Sequence, residues 1–263
     1  MSRPSLVRGY GKHPTTYTWP PNTDKPEHVL PSLTNVLKLL SCMDGPRKWA
    51  IADGTNNNWD EWAKLPADLR RKQIALATEH PSHPWVQKRN LGSNVHAMIA
   101  GEDPEYKTDL DPAPYMQAAR HFWTENIAER LYAEHTIYNP TAGYAGTADI
   151  IYTGKDGRTT LADWKTGTVM NRSNRPYGYS ELQAVGYSNG EFIGTPDGQV
   201  IEMPAIHRAL IVQLNDDATW KAYEVELGIT GAYDALVALC AVKRYAAFVQ
   251  QSVISSTPLE GSA

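Results

Sequence analysis

A change in the spacing of apolar residues near position 131 constrains the fold more than any other feature of this sequence. Before it, apolar residues recur every three or four positions, which is typical of amphipathic helices. After it, segments rich in Thr, Ile and Tyr at 132–138, 143–153 and 159–166 are separated by the turn residues Asn139-Pro140 and Gly154-Lys155-Asp156-Gly157. Such segments are typical of β-strands, so we expect a strand meander.

Helical patterns lie on both sides of this meander. Ser32 is placed as an N-cap before a first helix, whose apolar residues Leu33, Val36, Leu37 and Leu40 recur at helical spacing. Further helices are expected at 92–100, 113–131, 179–192 and 229–250, with two more strands at 206–214 and 220–226. This order of elements predicts an α/β (α+β) fold with a mixed sheet.

The chain divides into four segments by composition. Residues 1–30, rich in Pro, Thr and charge, show no period and are expected to be loose, as is the polar tail at 254–263. Short helical patterns interrupted by Asn, Pro and His predict a helical subregion at 31–91. Residues 92–253 then form the main folded core, and the sequence shows no internal repeat.

The composition excludes several classes of protein. The 263 residues, 41% of them hydrophobic, can bury a sizeable core, and no stretch approaches the roughly 18 consecutive apolar residues of a membrane span. The first residues lack the apolar segment of a secretory signal and there are only two cysteines, Cys42 and Cys240, so a cytoplasmic location is expected. Two cysteines cannot supply a four-cysteine metal site, so a bound metal would have oxygen and nitrogen ligands.

Charge is unevenly distributed along the chain, whose net charge is -4. Residues 1–100 carry 13 Lys and Arg against 8 Asp and Glu, whereas residues 101–263 carry 12 against 21. Basic and aromatic residues together suit single-stranded nucleic acid, through phosphate contacts and base stacking. The tryptophans could instead form the core of the helical subregion. The residues concerned are Trp49, Trp59, Trp62, Trp85, Arg47, Lys48, Arg70, Arg71, Lys72, Lys88 and Arg89.

Two acids and a lysine fall on neighbouring strands of the predicted meander. Because strand side chains alternate, Asp163 and Lys165 point to one face and Trp164 to the other. If the intervening loop has an odd number of residues centred on Asp156, Asp149 lies directly opposite Asp163, whereas a four-residue loop would separate their faces. Two adjacent carboxylates repel unless a cation lies between them. The pattern therefore predicts a divalent-metal site or, as the alternative, surface acids with Lys165 in a structural ion pair.

The same residues resemble the core motif of the PD-(D/E)XK nucleases. Asp149 followed by Asp163-Trp164-Lys165-Thr166-Gly167 is similar to the motif of the RecB-like branch, which includes the CRISPR-associated exonucleases. That branch also has a Gly-x-x-x-His helix before the core and a Gln-x-x-x-Tyr helix after it, here Gly92 to His96 and Gln183 to Tyr187. Glu134 is similar to the acid that precedes the glycine-rich strand. The resemblance covers about residues 92–190, and the opening Pro31-Ser32-Leu33-Thr34 helix is similar to that of phage-encoded members.

The resemblance implies a restriction-endonuclease-like core, with a mixed central sheet flanked by helices, that binds Mg²⁺ or Mn²⁺. The implied metal ligands are His96, Glu134, Asp149, Asp163 and the Trp164 carbonyl. The implied catalytic residues are Asp149, Asp163, Lys165, Gln183 and Tyr187. Lys165 would orient the attacking water or stabilise charge on phosphorus, and Gln183 and Tyr187 would position the substrate or Lys165. Gln183 and Tyr187 could equally pack between helix and sheet, and His96 could be an ordinary satisfied residue.

The implied function is a metal-dependent DNA exonuclease that acts at linear or single-stranded DNA ends, in phage or bacterial recombination, repair or replication. An endonuclease on the same core, or a catalytically silent nucleic-acid-binding module, is the alternative. Arg172, Arg175 and Tyr177 lie in the loop after the third strand and are expected to contact nucleic acid, since that loop borders the site. Relatives with an iron–sulfur cluster use four cysteines, so no cluster is expected here.

Overall fold

The fold is given by a computed structural model that describes residues 16–21, 28–37, 83–167, 180–195, 197–229 and 231–252, with a few positions between 39 and 73. Most of the predicted helical subregion therefore lies outside the described residues. So do the tail at 254–263 and the predicted nucleic-acid contacts Arg172, Arg175 and Tyr177.

A seven-stranded mixed sheet is the centre of the fold. β3 (Ile127–Asn139), β4 (Tyr144–Gly154) and β5 (Thr159–Lys165) form the predicted meander, with antiparallel neighbours. β8 (Arg208–Leu214) runs parallel to β5, and β9 (Trp220–Val225) runs antiparallel to β8. The short strands β6 (Phe192–Gly194) and β7 (Val200–Glu202) complete the order β7-β6-β3-β4-β5-β8-β9. A separate antiparallel pair consists of β1 (Thr16–Trp19) and β2 (His28–Pro31).

The β4–β5 hairpin has a loop with an odd number of residues, which is the condition for Asp149 to lie opposite Asp163. Thr153 pairs with Thr159, which leaves five residues centred on Asp156. The Gly154 N–H donates to the Arg158 carbonyl at 2.9 Å, and Gly157 adopts a φ of 79°, a value that favours glycine. The pairing continues to Ile150 opposite Ala162. Asp149 and Asp163 are therefore the next two residues opposite each other.

Helices cover both faces of the sheet. α1 (Leu33–Leu37), α4 (Ser180–Ser188) and α5 (Ala232–Ser252) pack on one face, and α2 (Pro84–Ala100) and α3 (Ala113–Asn126) on the other. The predicted N-cap is confirmed, because Ser32 Oγ accepts a hydrogen bond from the Asn35 N–H at 3.2 Å. The mixed sheet between helices confirms the expected α+β class. Among the described residues, no helix is long and apolar enough to cross a membrane.

The apolar residues of the central strands alternate between the two faces. Ile151 and Leu161 pack with α1, α4 and α5, whereas Ile150 and Trp164 pack with α2 and α3. This alternation is the period-two pattern of a sheet buried on both sides. It places the Trp164 side chain in the core and leaves Asp163 and Lys165 on the opposite face, as the sequence predicts.

The predicted boundary between α3 and β3 is wrong by five residues. The sequence pattern extends the helix to 131, but α3 ends at Asn126 and β3 begins at Ile127. The segment contains Ala, Glu, Arg and Leu, which favour helices. Pairing with the eleven-residue β4 overrides that preference, with register shifts between Ile127 and Glu129 and between Arg130 and Tyr132.

Four short strands are absent from the sequence-based prediction. β6 and β7 have three residues each, which is too short to show a period. β1 and β2 lie within residues 1–30 and at its border, where a loose segment was expected, so that expectation does not hold at these positions. The alternation of Thr16 and Thr18 with Tyr17 and Trp19 is a strand signal that the analysis missed. Trp19 packs on Phe192 and Tyr138, which fixes the β1–β2 pair to the sheet.

The fold makes a testable prediction at Phe122, which lies under β5. Its ring is 0% exposed and packs edge-to-face on Trp164 at 5.3 Å and on Trp220 at 5.0 Å. We expect Phe122→Ala to lower the free energy of unfolding by about 3–5 kcal/mol, through lost burial and the cavity left behind. Urea unfolding measures the change. The control is Phe192→Ala on the short strand β6, where a smaller loss is expected because Phe192 is only partly buried; equal losses would contradict the prediction.

Candidate metal centre

Three acids lie in a row across three neighbouring strands. Ala133 pairs with Ile150 and His135 with Ala148, so Glu134 on β3 lies opposite Asp149 on β4. The β4–β5 register then places Asp149 opposite Asp163 on β5. Glu134 is 7% exposed and Asp163 is 5% exposed. A buried row of carboxylates is unfavourable unless positive charge compensates it.

Glu134 has a backbone conformation that is unusual for its residue type. Its φ is 52°, in the left-handed region that a residue with a Cβ atom seldom adopts. Such a conformation costs about 1–3 kcal/mol and is typical of residues held in place for function. The strained position coincides with the acid that faces Asp149 across the β3–β4 pair.

α2 supplies a histidine to the row of acids. His96 Nδ1 lies 3.3 Å from Asp149 Oδ1. A Cβ atom at Gly92, one turn earlier, would lie 3.1 Å from Thr166 Oγ1, so the glycine allows α2 to approach the end of β5 closely. The Gly-x-x-x-His motif thus combines a close-approach position with a ligand position on one helix face.

His96 and Asp149 each shift the pKa of the other. Burial lowers the pKa of His96, but the Asp149 carboxylate outweighs burial and raises that pKa from 6.5 to about 9. Burial raises the pKa of Asp149, but His96, Lys165 and a hydrogen bond from the Trp164 N–H together lower it below its usual range. That backbone bond to Asp149 Oδ2 measures 2.7 Å. Because imidazole binds a metal only when deprotonated, a proton and a metal ion compete for His96.

Asp163 and Lys165 form the second charged pair of the site. Lys165 Nζ lies 2.5 Å from Asp163 Oδ2, and both side chains project from β5 on the face opposite Trp164. Burial and the neighbouring Asp149 carboxylate raise the pKa of Asp163, against the opposing effect of Lys165. Burial lowers the pKa of Lys165, but Asp163 and Asp149 raise it above its usual range. The ammonium group is therefore charged beside the acids.

The donor set fits a divalent cation. Ligand atoms of His96, Glu134 and Asp149 all lie within 4.8 Å of one another. Two ligands at right angles on an octahedral cation lie about 3 Å apart when each bond is about 2.1 Å, which is close to the His96–Asp149 separation. Two carboxylates suit a hard cation, and the imidazole suits a transition metal such as Mn²⁺ better than Mg²⁺. This group of three could hold a metal ion, while ligation by Asp163 and the Trp164 carbonyl stays a prediction.

α4 forms the wall of the site opposite α2. The Gln183 side-chain amide donates to the Tyr187 hydroxyl at 3.1 Å. The Tyr187 ring packs in the core between α4 and the sheet, as one alternative in the sequence analysis held, and burial raises the pKa of its hydroxyl. A Cβ atom at Gly146 would lie 2.7 Å from Tyr187 Cε1, so glycine is required for this approach. The hydroxyl thereby reaches the site as a neutral group.

A cavity of about 560 Å³ brings these groups together. Seven predicted site residues line it: His96, Glu134, Asp149, Asp163, Lys165, Gln183 and Tyr187. Tyr17 and Thr147, which none of the sequence motifs indicates, also line the cavity, and their hydroxyl oxygens lie 3.4 Å apart. Tyr17 belongs to β1, so only the missed strand signal could have indicated it.

The sequence matches no protein-family model, and no curated protein matches it significantly. The nuclease resemblance of the motifs therefore stays a hypothesis.

The geometry predicts which residues determine metal affinity. We expect His96→Ala and Asp149→Asn each to weaken Mn²⁺ binding by at least about 10-fold, since the first removes a donor and the second removes the charge of another. His96→Ala should weaken Mg²⁺ binding less, because Mg²⁺ gains little from an imidazole. Isothermal titration calorimetry with each metal measures both effects. Asp197→Asn, at an exposed acid of the β6–β7 turn, is the control, and an unchanged isotherm for both site variants would exclude this centre.

Proposed function

We propose that this chain is a metal-dependent deoxyribonuclease that hydrolyses phosphodiester bonds, acting as an exonuclease at DNA ends. One observation carries the proposal: a possible cation site formed by His96, Glu134 and Asp149 shares a cavity with the Asp163–Lys165 pair. Phosphodiester hydrolysis needs an activated water molecule and groups that stabilise the charge developing at phosphorus. A cation beside a lysine can supply both.

The electrostatics of the cavity explain why a cation is part of the proposal. Glu134, Asp149 and Asp163 line one cavity, and three carboxylates alone would repel a phosphate group. A divalent cation held there would polarise a phosphate oxygen and acidify a water molecule. Without the cation, the three acids repel an anionic substrate. By holding the cation, they would support the binding of that substrate.

Lys165 supplies positive charge in addition to the proposed cation. Its ammonium group is oriented by Asp163 at 2.5 Å and lines the cavity beside Asp149. An ammonium group in this place donates hydrogen bonds to a phosphate oxygen or to the attacking water as negative charge develops. Asp163 in this account both orients Lys165 and completes the acidic row.

Gln183, Tyr187 and Thr147 provide neutral donors on the other side of the cavity. The Tyr187 hydroxyl accepts from Gln183 at 3.1 Å, and burial raises its pKa and keeps the phenol protonated, so that it can donate its own proton. Neutral donors hold a phosphate or sugar oxygen without adding to the charge of the site. We assign these residues to substrate positioning.

The proposal predicts that Lys165→Ala and Asp163→Ala each lower the rate of linear DNA cleavage by at least about 100-fold, the effect of removing a group that stabilises transition-state charge. Gel analysis of end-labelled linear DNA with Mg²⁺ or Mn²⁺ measures the rate, and chelation should abolish it. Lys221→Ala, on the exposed side of β9, is the matched control and should cleave at the rate of the unmodified protein.

Closed circular DNA tests the exonuclease part separately. We expect it to stay intact under conditions that degrade the linear form, because it has no ends. Cleaved circles would make the protein an endonuclease. Linear-DNA turnover that is unchanged in folded Lys165→Ala and Asp163→Ala proteins, as judged by circular dichroism, would refute the nuclease proposal itself.

A further inference from the structure

A second cavity, of about 650 Å³, adjoins the metal centre. It lies beyond the ends of the parallel strands β5 and β8, where Lys165 pairs with Gln213, and it reaches Thr166, Gly167 and Asn215. α2 and the start of α3 form its other walls. The crevice outside the carboxyl ends of parallel strands is where α/β sheets commonly bind ligands. Its volume is in the range of ligand-binding pockets, about 300–1,000 Å³.

The two cavities are continuous along α2. Trp85 and Arg89, four residues apart on one helix face, line both cavities. On the strand side, Thr166 and Gly167 of the second cavity directly follow Lys165 of the first. A chain molecule bound at the metal centre therefore has a path past Trp85 into the second cavity.

The lining of the second cavity suits a nucleotide. Trp85 and Tyr115 present aromatic rings, and Leu110 and Pro114 add apolar surface near them. Lys88 and Arg89 contribute positive charge on the α2 side, next to the metal centre. An aromatic ring stacks on any base, and a neighbouring cation binds the backbone phosphate.

Two acids, Asp111 and Asp216, also line this cavity. Asp111 precedes α3, where its carboxylate accepts a hydrogen bond from the Ala113 N–H at 2.9 Å. Asp216 belongs to the β8–β9 turn and is close enough to Tyr115 to raise the pKa of its phenol, after the larger effect of burial. The cavity thus has both cations and hydrogen-bond acceptors that suit base amino groups.

We propose that the second cavity binds the nucleotide adjacent to the cleaved bond, with its base unpaired against Trp85 and Tyr115 and its phosphate on Lys88 and Arg89. This inference rests on the proposed nuclease function and specifies its substrate as an unpaired strand. A base in a duplex is stacked on both faces and must leave the stack before an aromatic side chain can cover it. The chain therefore acts on single-stranded DNA or on a frayed end.

The test compares two substrates in each protein: a single-stranded oligonucleotide and bis(p-nitrophenyl) phosphate, a small diester that has no base. Tyr115→Ala and Trp85→Ala should raise the KM for the oligonucleotide roughly 5- to 150-fold, as expected for lost base stacking. The loss in kcat/KM should be at least about 5-fold greater for the oligonucleotide than for the diester. Tyr115→Phe, which keeps the ring, should restore oligonucleotide turnover. Tyr245→Ala, at an exposed position of α5, is the aromatic control.

A change in the substrate tests the same contact without altering the protein. An oligonucleotide with abasic positions next to its terminal bonds should raise the KM of the unmodified protein, but add little to the effect of Tyr115→Ala, because base and ring act as one pair. Equal losses for both substrates, or additive effects of the abasic positions and the variant, would overturn the second-cavity proposal while leaving the nuclease intact. If the unmodified protein cleaves neither substrate, the nuclease proposal fails and this inference with it.

Discussion

The structure depends on positive charge that compensates three carboxylates lying side by side in the sheet. Glu134, Asp149 and Asp163 lie in one row across β3, β4 and β5, where isolated charges would each destabilise the fold by several kcal/mol. In the metal-free protein, compensation comes from the imidazolium of His96 and the ammonium of Lys165. A divalent ion that replaces the His96 proton would add one positive charge beside the acids, which is the physical reason to expect a metal here.

Glycines set the geometry around this charged row. Gly157 closes the hairpin that aligns Asp149 with Asp163, Gly92 lets α2 carry His96 close to β5, and Gly146 makes room for Tyr187. Each of these positions serves a turn or a close approach that a side chain would obstruct. The motif spacings thus have a structural origin. Gly92 and Gly146 allow α2 and α4 to approach the sheet closely, and His96, one turn after Gly92, and Asp149, three residues after Gly146, lie near these contacts.

Strand alternation predicted the charged pair on β4 and β5 on the condition of an odd loop, and the five-residue loop of the hairpin meets that condition. The resemblance of the Gly-x-x-x-His and Gln-x-x-x-Tyr motifs indicated His96, Gln183 and Tyr187. The start of β3 was predicted five residues too late, because helix-favouring residues at 127–131 concealed it, although Glu134 fell inside the predicted strand at 132–138. Tyr17 and the second cavity depend on contacts between distant segments, namely β1 with β4 and α2 with the ends of β5 and β8, for which a single sequence carries little signal.

The most direct test of the central claim is anomalous X-ray diffraction from crystals of the protein soaked in MnCl₂. The account predicts one strong manganese peak within bonding distance of His96, Glu134 and Asp149, beside the Asp163–Lys165 pair, and loss of that peak in Asp149→Asn crystals. Manganese found only at other positions would contradict the account. So would well-ordered His96 and Asp149 side chains that remain paired to each other with no metal between them.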